Sequence, residues 1–236
     1  MVIPLWDLNR RRTFPVVTVT LIAVNLAFFL YQLNLGLDTQ AGIDFVNLYG
    51  TIPSLILSEE NLNALISSMF LHGGWMHLLG NMFFLWVFGD NIEDFLGPIR
   101  YILFYLLAGV AASLSYILFS GSYPYMPMLG ASGAISGVMG AYIYLFPSAP
   151  IITLIPLGCF PNLIPLPAWL YLIIWFGSQF LIAPSTGVAV QAHIGGFLAG
   201  ILLVVLLAWG KRPMTPRPRW NPPRQSLLPV DPGSST

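Results

Sequence analysis

Apolar residues run in long blocks along this chain, and polar residues collect between the blocks or at their ends. A membrane-crossing helix needs about 20 mainly apolar residues. Six blocks read as spans, at roughly 15–35, 76–89, 99–119, 132–146, 167–182 and 191–210. The stretch 147–166 is apolar too, but Pro147, Pro150, Pro156, Pro161 and Pro165 interrupt it too often for a seventh span. Residues 36–75 form a long, partly apolar first loop expected to lie in the membrane interface. Residues 211–236 hold seven prolines with Lys211, Arg212, Arg217, Arg219 and Arg224, and read as a disordered tail. The expectation is an all-α membrane protein of six transmembrane helices over 15–210, with a short segment 1–14 before it and the tail 211–236 after it.

Composition agrees. The 236 residues are 56% hydrophobic and 8% charged, where soluble domains carry about 25% charged residues. The net charge of zero argues against a nucleic-acid partner. The lone Cys159 has no disulfide partner within the chain and reads as a small apolar residue between helices. Arg10, Arg11 and Arg12 precede an apolar block longer than a signal-peptide core, with no clear cleavage site after it.

Charge orients the spans. All nine Lys and Arg lie before span 1, between spans 2 and 3 (Arg100), or after span 6. With six spans these places share one side, which the positive-inside rule makes the cytoplasm. Both termini are therefore expected to be cytoplasmic, in a prokaryotic plasma membrane. The other side carries Asp38, Asp44, Glu59 and Glu60 and no basic residue.

That topology brings scattered polar residues to one depth. Spans 2, 4 and 6 all start from the outer side. His77 and Asn81 begin span 2, Ser132 begins span 4, and His193 stands near the start of span 6. Span 4 is short: its 15 or so residues rise about 22 Å against a hydrocarbon core of about 30 Å. Ser132 is thus set below the outer surface, in a recess where non-helical backbone must be enclosed by protein or line a wet cavity.

Small residues recur at helical spacing as Ser132, Ser136 and Gly140 on span 4, and as His193, Gly196 and Gly200 on span 6. Such faces let two helix backbones approach closely, which would bring the Ser132 hydroxyl to the His193 ring. A serine needs an adjacent base to act as a nucleophile, and histidine is the usual one. No acidic residue lies in spans 3 to 6, so the pair reads as a dyad. Acyl transfer also needs donors for the developing oxyanion. His77 and Asn81, four apart on one helix face, can donate, as can the Ser132 backbone N–H at a positive helix end.

Structural readings compete at every position. Gly130-Ala131-Ser132-Gly133 could be helix packing and a cap, and it lacks the final glycine of the G-x-S-x-G elbow. His193, His77 and Asn81 could each tie helices together. His72 is expected to pin the first loop, Asn25 to join helices, and Glu93 and Asp94 to serve as turn or capping groups. The joint placement at one depth is what favours catalysis.

Taken as a set, His72-Gly-Gly-Trp-Met-His77-Leu-Leu-Gly-Asn81, Gly130-Ala-Ser132-Gly133 and Ala192-His193-Ile-Gly-Gly196 resemble the motifs of rhomboid intramembrane serine proteases. Glu93 with Gly97 resembles that family's turn after the second helix, and the likeness covers roughly 45–210. It implies a six-helix rhomboid-like bundle with Ser132 as nucleophile, His193 as general base, and His77 and Asn81 at the oxyanion. His72, Gly130, Gly133, Gly196 and Gly200 would give structural support. Substrates would be transmembrane proteins in a lipid bilayer, cut near the outer interface, with no cofactor or metal. Two positions depart from the family pattern. Asn63 and Ala64 stand where many members have a Trp-Arg pair in the first loop, so the loop must be anchored differently. Ser136 stands where some members have an aromatic that stacks on the base. Other readings fit less well: a non-cutting relative that captures membrane proteins would usually lack the serine or histidine, a bis-histidine haem protein would use His77 and His193, and a transporter lacks an intramembrane carboxylate or lysine. A zinc protease lacks the H-E-x-x-H pattern.

Overall fold

The computed structural model describes residues 3–9, 11–121, 124–157, 160–183 and 187–210. Cys159 and the tail 211–236 lie outside them. In chain order the elements are β1 (Ile3–Asp7), α1 (Val16–Leu35), α2 (Gln40–Tyr49), α3 (Pro53–Leu57), α4 (Ala64–Ser67), a 3-10 turn (Ser68–Phe70), α5 (Trp75–Leu96), α6 (Pro98–Phe119), α7 (Ser132–Leu145), β2 (Pro150–Leu157), β3 (Phe160–Pro167), α8 (Ala168–Gln179) and α9 (Val190–Leu207). Helices α1, α5, α6, α7, α8 and α9 fall on the six apolar blocks. Of these, α1, α6 and α9 are long and apolar enough to cross a membrane, and α7 is a shorter apolar helix of 14 residues.

The apolar pattern ends span 2 near residue 89, but α5 continues through Asp90, Asn91, Glu93 and Asp94 to Leu96. Asp90, Asn91 and Glu93 are buried, and all four side chains are bonded to the N-terminal segment or the start of α1, so their polarity does not end the helix. The chain instead turns at Gly97, which closes α5 with a φ of 77°, and Pro98 opens α6 at once. Glycine past a helix end and proline at the next helix start each suit their place: one tolerates positive φ, the other has no N–H to leave unpaired.

The fold is mostly helical as expected, with one correction to the all-α reading. The proline-interrupted stretch forms a hairpin, β2 and β3, and β2 pairs antiparallel with β1 to make a sheet ordered β1-β2-β3. Ile151, Ile152, Thr153 and Ile155 favour an extended chain through their branched Cβ atoms. Proline cannot donate to a ladder, and Pro165 lies on β3, an edge strand where that is tolerated. Asp7, at the end of β1, is the link to the helices: its carboxylate accepts from Asn91 Nδ2 and from the Tyr142 hydroxyl, each at 2.7 Å.

Helix α1 begins after Pro15, with no side chain of its own to cap it. Glu93 of α5 does so across the bundle. Its carboxylate accepts from the backbone N–H of Val17 and of Thr18 and from the Thr18 hydroxyl, each at 2.8 Å. The first N–H groups of a helix have no partner within it, and a carboxylate there is favoured by the helix dipole. Asp94 accepts from the Thr13 N–H and hydroxyl, and Asp90 pairs with Arg11 at 3.0 Å. The capping roles expected for Glu93 and Asp94 are thus present, in trans. Asn25 differs from its expected role between helices: its amide donates at 2.7 Å to Leu21 O of its own helix, and its Oδ1 has no partner.

Helices α6, α7 and α9 form the centre, and glycine sets their spacing. A Cβ on Gly196 would collide with the carbonyl of Gly133, and one on Gly200 with the carbonyl of Gly137. The G-x-x-x-G face of α9 is used as expected. On α7 the facing residues are Gly133, Gly137 and Gly140, one position round the helix from the expected Ser132 and Ser136. Ser136 is buried and turns its hydroxyl back to Ser132 O at 2.7 Å.

Candidate active site

The first loop is not featureless. It carries α2, α3, α4 and the 3-10 turn; one polar contact fixes it to α1 and another braces it internally. The Gln32 amide of α1 brackets His72, accepting from its N–H at 3.0 Å and donating to its carbonyl at 3.3 Å. The Thr51 hydroxyl, wholly buried, lies 2.9 Å from both Ala64 O and Ser68 Oγ. Thr51 and Met128 also exchange backbone hydrogen bonds, and the Gly130 N–H donates to Ser68 O at 2.8 Å. These bonds stand where the Trp-Arg pair is missing. The last two tie the loop to the segment ahead of Ser132, and the half-buried, non-helical backbone at 128–130 is hydrogen-bonded to it.

His72 pins the loop through its backbone, while its buried ring meets the His77 ring edge-on at 5.1 Å. Burial, and then the neighbouring His77, push the His72 pKa down to about 3. The ring is neutral at pH 7 and serves as packing.

His77 and Asn81, one turn apart at the start of α5, converge on Gly130. A Cβ there would lie 2.6 Å from His77 Nε2 and 3.5 Å from Asn81 Nδ2. Gly130 also has a φ of +118°, which side-chain-bearing residues rarely adopt. Glycine is required twice over, by backbone angle and by space. The Gly73 N–H donates to His77 Nδ1 at 3.4 Å, so Nε2 carries the ring proton toward Gly130. Asn81 is buried and its Nδ2 has no partner. A buried amide without an acceptor costs about 1–3 kcal/mol. Two donors therefore point to one place, two residues before Ser132.

Ser132 is the first residue of α7, half-buried, beside a small cavity that Ser68, Ser113, Gly130 and Ala192 also line. His193 lies in the first turn of α9. The α7 and α9 backbones touch at Gly133 and Gly196, one residue past Ser132 and three past His193, so both residues stand at the same end of a close-packed pair. Among the described residues Ser132 makes no hydrogen bond to His193; catalytic pairs are often long in unliganded enzymes and tighten around substrate. The His193 ring instead contacts α8. Its Nδ1 lies 2.8 Å from Gln179 Oε1, and the Trp175 ring is 6.1 Å away. Gln179 and Trp175 carried no motif signal. Their only mark in the sequence is an amide and an indole one turn apart in an apolar helix. Among the described residues no His, Cys, Asp and Glu cluster could hold a metal ion.

Comparison with known proteins agrees with the geometry. The rhomboid domain profile matches residues 59–210. The chain is 31% identical over 205 residues to the rhomboid protease GluP of Bacillus subtilis, covering 84% of this chain and 37% of that protein. It is 34% identical over 149 residues to the mitochondrial Rhomboid protein 1 of Saccharomyces cerevisiae, covering 59% of this chain and 40% of that one. The mouse presenilin-associated rhomboid-like protein, also mitochondrial, is 32% identical over 160 residues, covering 66% and 41%. The chain thus spans well under half the length of these three relatives. Mitochondrial relatives stand beside a bacterial one, so the expectation of a prokaryotic plasma membrane draws no support from them. With its long apolar helices, its Gly130 junction and the profile match across α4 to α9, this integral membrane protein belongs to the rhomboid family.

Proposed function

We propose that the chain is an intramembrane serine endopeptidase that cuts transmembrane substrates with Ser132 and His193. One observation carries this reading most: the unpartnered, buried Asn81 amide and the His77 Nε2–H meet at Gly130, beside the nucleophile candidate. Buried hydroxyls without a partner occur elsewhere in the bundle, at Tyr105 and Tyr171 among others; Asn81 is set apart because its free Nδ2 lies beside a second donor at Gly130, where an oxyanion formed during reaction would be held. Six helices crossing the bilayer, with both termini on the cytoplasmic side, put this site toward the opposite face. On this reading residues 15–210 are the protease domain, with 1–14 and 211–236 flanking it.

The chemistry follows. His193 Nε2 takes the Ser132 proton as Oγ bonds to the scissile carbonyl carbon. The carbonyl oxygen becomes an oxyanion held by His77 Nε2–H, Asn81 Nδ2 and the Ser132 N–H. When the intermediate collapses, the C–N bond breaks and His193 protonates the departing amine. Water then attacks the acyl-serine with His193 again taking its proton, and Ser132 is regenerated. A helical substrate hides its carbonyls in its own hydrogen bonds, so it must unwind near the site. A Gly or Pro close to the cut lowers that cost by about 1 and 3 kcal/mol relative to Ala, and the small residues around Ser132 favour Ala, Gly or Ser at the cut.

The test is a fluorophosphonate probe in detergent with cleavage of a reporter transmembrane substrate alongside. Wild type should be labelled and active, and Ser132→Ala should lose both while its thermal midpoint holds. An unlabelled, inactive wild-type protein would instead match the reading of a rhomboid relative that binds membrane proteins without cutting them.

A further inference from the structure

The protease reading assigns His193 a task that depends on which ring nitrogen carries the proton. To take the Ser132 proton, Nε2 must be bare, so a neutral ring must carry its hydrogen on Nδ1. In serine proteases of the triad type a carboxylate enforces this tautomer. Spans 3 to 6 contain no carboxylate, and the position that could stack on the base holds Ser136, whose hydroxyl is turned back to Ser132 O.

Gln179 is placed to do it. It is 4% exposed, at the last residue of α8, with Oε1 2.8 Å from His193 Nδ1. The amide's own orientation is fixed from its other end. Gln179 Nε2 lies 3.2 Å from the Trp175 carbonyl and 3.5 Å from Ser178 Oγ. A carbonyl only accepts, so the NH₂ faces Trp175 and the oxygen faces the histidine. An oxygen at 2.8 Å requires an N–H opposite it. The Trp175 ring, 6.1 Å from the imidazole and inclined 40° to it, is itself stacked on Phe197 at 6.0 Å and limits rotation of the base.

We propose that Gln179 is the positioning residue for His193, holding the Nδ1–H tautomer and aiming Nε2 at Ser132. It is an amide rather than a carboxylate, so it orients the ring without adding charge to stabilise the imidazolium. This rests on the protease reading for its consequence in catalysis, but the tautomer itself does not.

Two measurements on the full chain in detergent test it. The first reads ring nitrogen shifts by NMR after ¹⁵N-histidine labelling, in a Ser132→Ala background, with His193→Asn identifying the resonance. His193 should show Nδ1–H in this background, and Gln179→Leu should shift it toward Nε2–H. A His193 already protonated on Nε2, or one unmoved by Gln179→Leu, overturns the proposal whether or not the protein cuts anything. The second reads cleavage. Gln179→Leu should lower kcat by about 10–10², less than the about 10⁴ lost when a triad carboxylate is replaced, with little change in KM. Gln179→Glu should recover most of kcat and move the acid limb of the pH profile upward. The sign follows from charge: a carboxylate on Nδ1–H stabilises the imidazolium and raises its pKa, so the neutral base is lost at a higher pH. A pH profile unchanged in Gln179→Glu, or a wild-type kcat in Gln179→Leu, also overturns it. A tautomer shift in a protein that no fluorophosphonate labels would uphold the positioning and refute the protease reading alone.

Discussion

Helix α5 carries two polar clusters, one at each end, and their bonding is opposite. At the C-terminal end Asp90, Asn91, Glu93 and Asp94 are matched to Arg11, Asp7, Thr13, Val17 and Thr18. At the N-terminal end the Asn81 Nδ2 is buried with no partner, and His77 Nδ1 has one long contact. Both ends are polar in a chain with few charged groups, and polarity alone does not distinguish them. Satisfaction does. A satisfied cluster is finished by folding, here by fastening the N-terminal segment and the start of α1. An unsatisfied one retains a free energy cost that a bound molecule would relieve.

The largest break of this contrast is expected at Asn81. Asn81→Ala should lower kcat for a reporter substrate by about 10², the low end for a lost oxyanion donor because His77 and the Ser132 N–H remain. KM should change little, since the bond forms in the transition state. The thermal midpoint should hold or rise, because a buried donor without an acceptor is removed. A lower midpoint with wild-type kcat would move Asn81 to the structural class.

Glu93 should behave in the reverse way. Glu93→Ala strands the N–H groups of Val17 and Thr18 inside the bundle, which should cost about 2–3 kcal/mol of stability. Glu93→Gln keeps one acceptor oxygen and should lose less. In both, kcat of the folded fraction should match wild type. A fall in kcat with an unchanged midpoint would join the two ends of α5 into one functional unit.

The apolar blocks revealed the helices because burial in lipid or protein demands apolar side chains over a fixed length. The turn at Gly97 was legible through the family likeness, but the polar residues Asp90, Asn91, Glu93 and Asp94 put the end of span 2 too early. The proposed site was readable as a candidate in Ser132, His193, His77 and Asn81 because the expected topology brought three helix starts to one depth. Contacts between residues far apart without a compositional signature were not legible. β1 pairs with a strand over 140 residues later, and an isolated strand of five residues has no pattern that names its partner. Where many members have a Trp-Arg pair, the Thr51 and Ser68 hydroxyls hold the loop, and two hydroxyls look ordinary in a loop. Gln179 is one amide in an apolar helix, and only the α8–α9 approach shows that it faces a histidine. The α7 packing face was read one residue out, because serine and glycine are both small enough to serve and the chain alone does not fix the rotation of a helix.

The smallest expected effect sharpens the contrast most. Asn25 is wholly buried in α1, and its Oδ1 is unpartnered like Asn81 Nδ2. If every unsatisfied polar atom marked function, Asn25 would be catalytic or binding. Its one hydrogen bond goes from Nδ2 to Leu21 O, the carbonyl four residues back that already receives the helical N–H of residue 25. Deleting that bond leaves no carbonyl orphaned. Deleting Oδ1 removes a buried acceptor that pairs with nothing. Asn25→Leu should therefore leave kcat and KM as they are and hold or raise stability, by up to about 1 kcal/mol, read as the thermal midpoint in detergent. Asn81 differs because its free atom lies beside His77 Nε2 and Gly130, where the proposed oxyanion would form. Loss of cleavage in Asn25→Leu would show that an unpaired polar atom signals function even far from the nucleophile. A clear drop in the midpoint would instead make Asn25 the join between helices that its place in an apolar block first suggests.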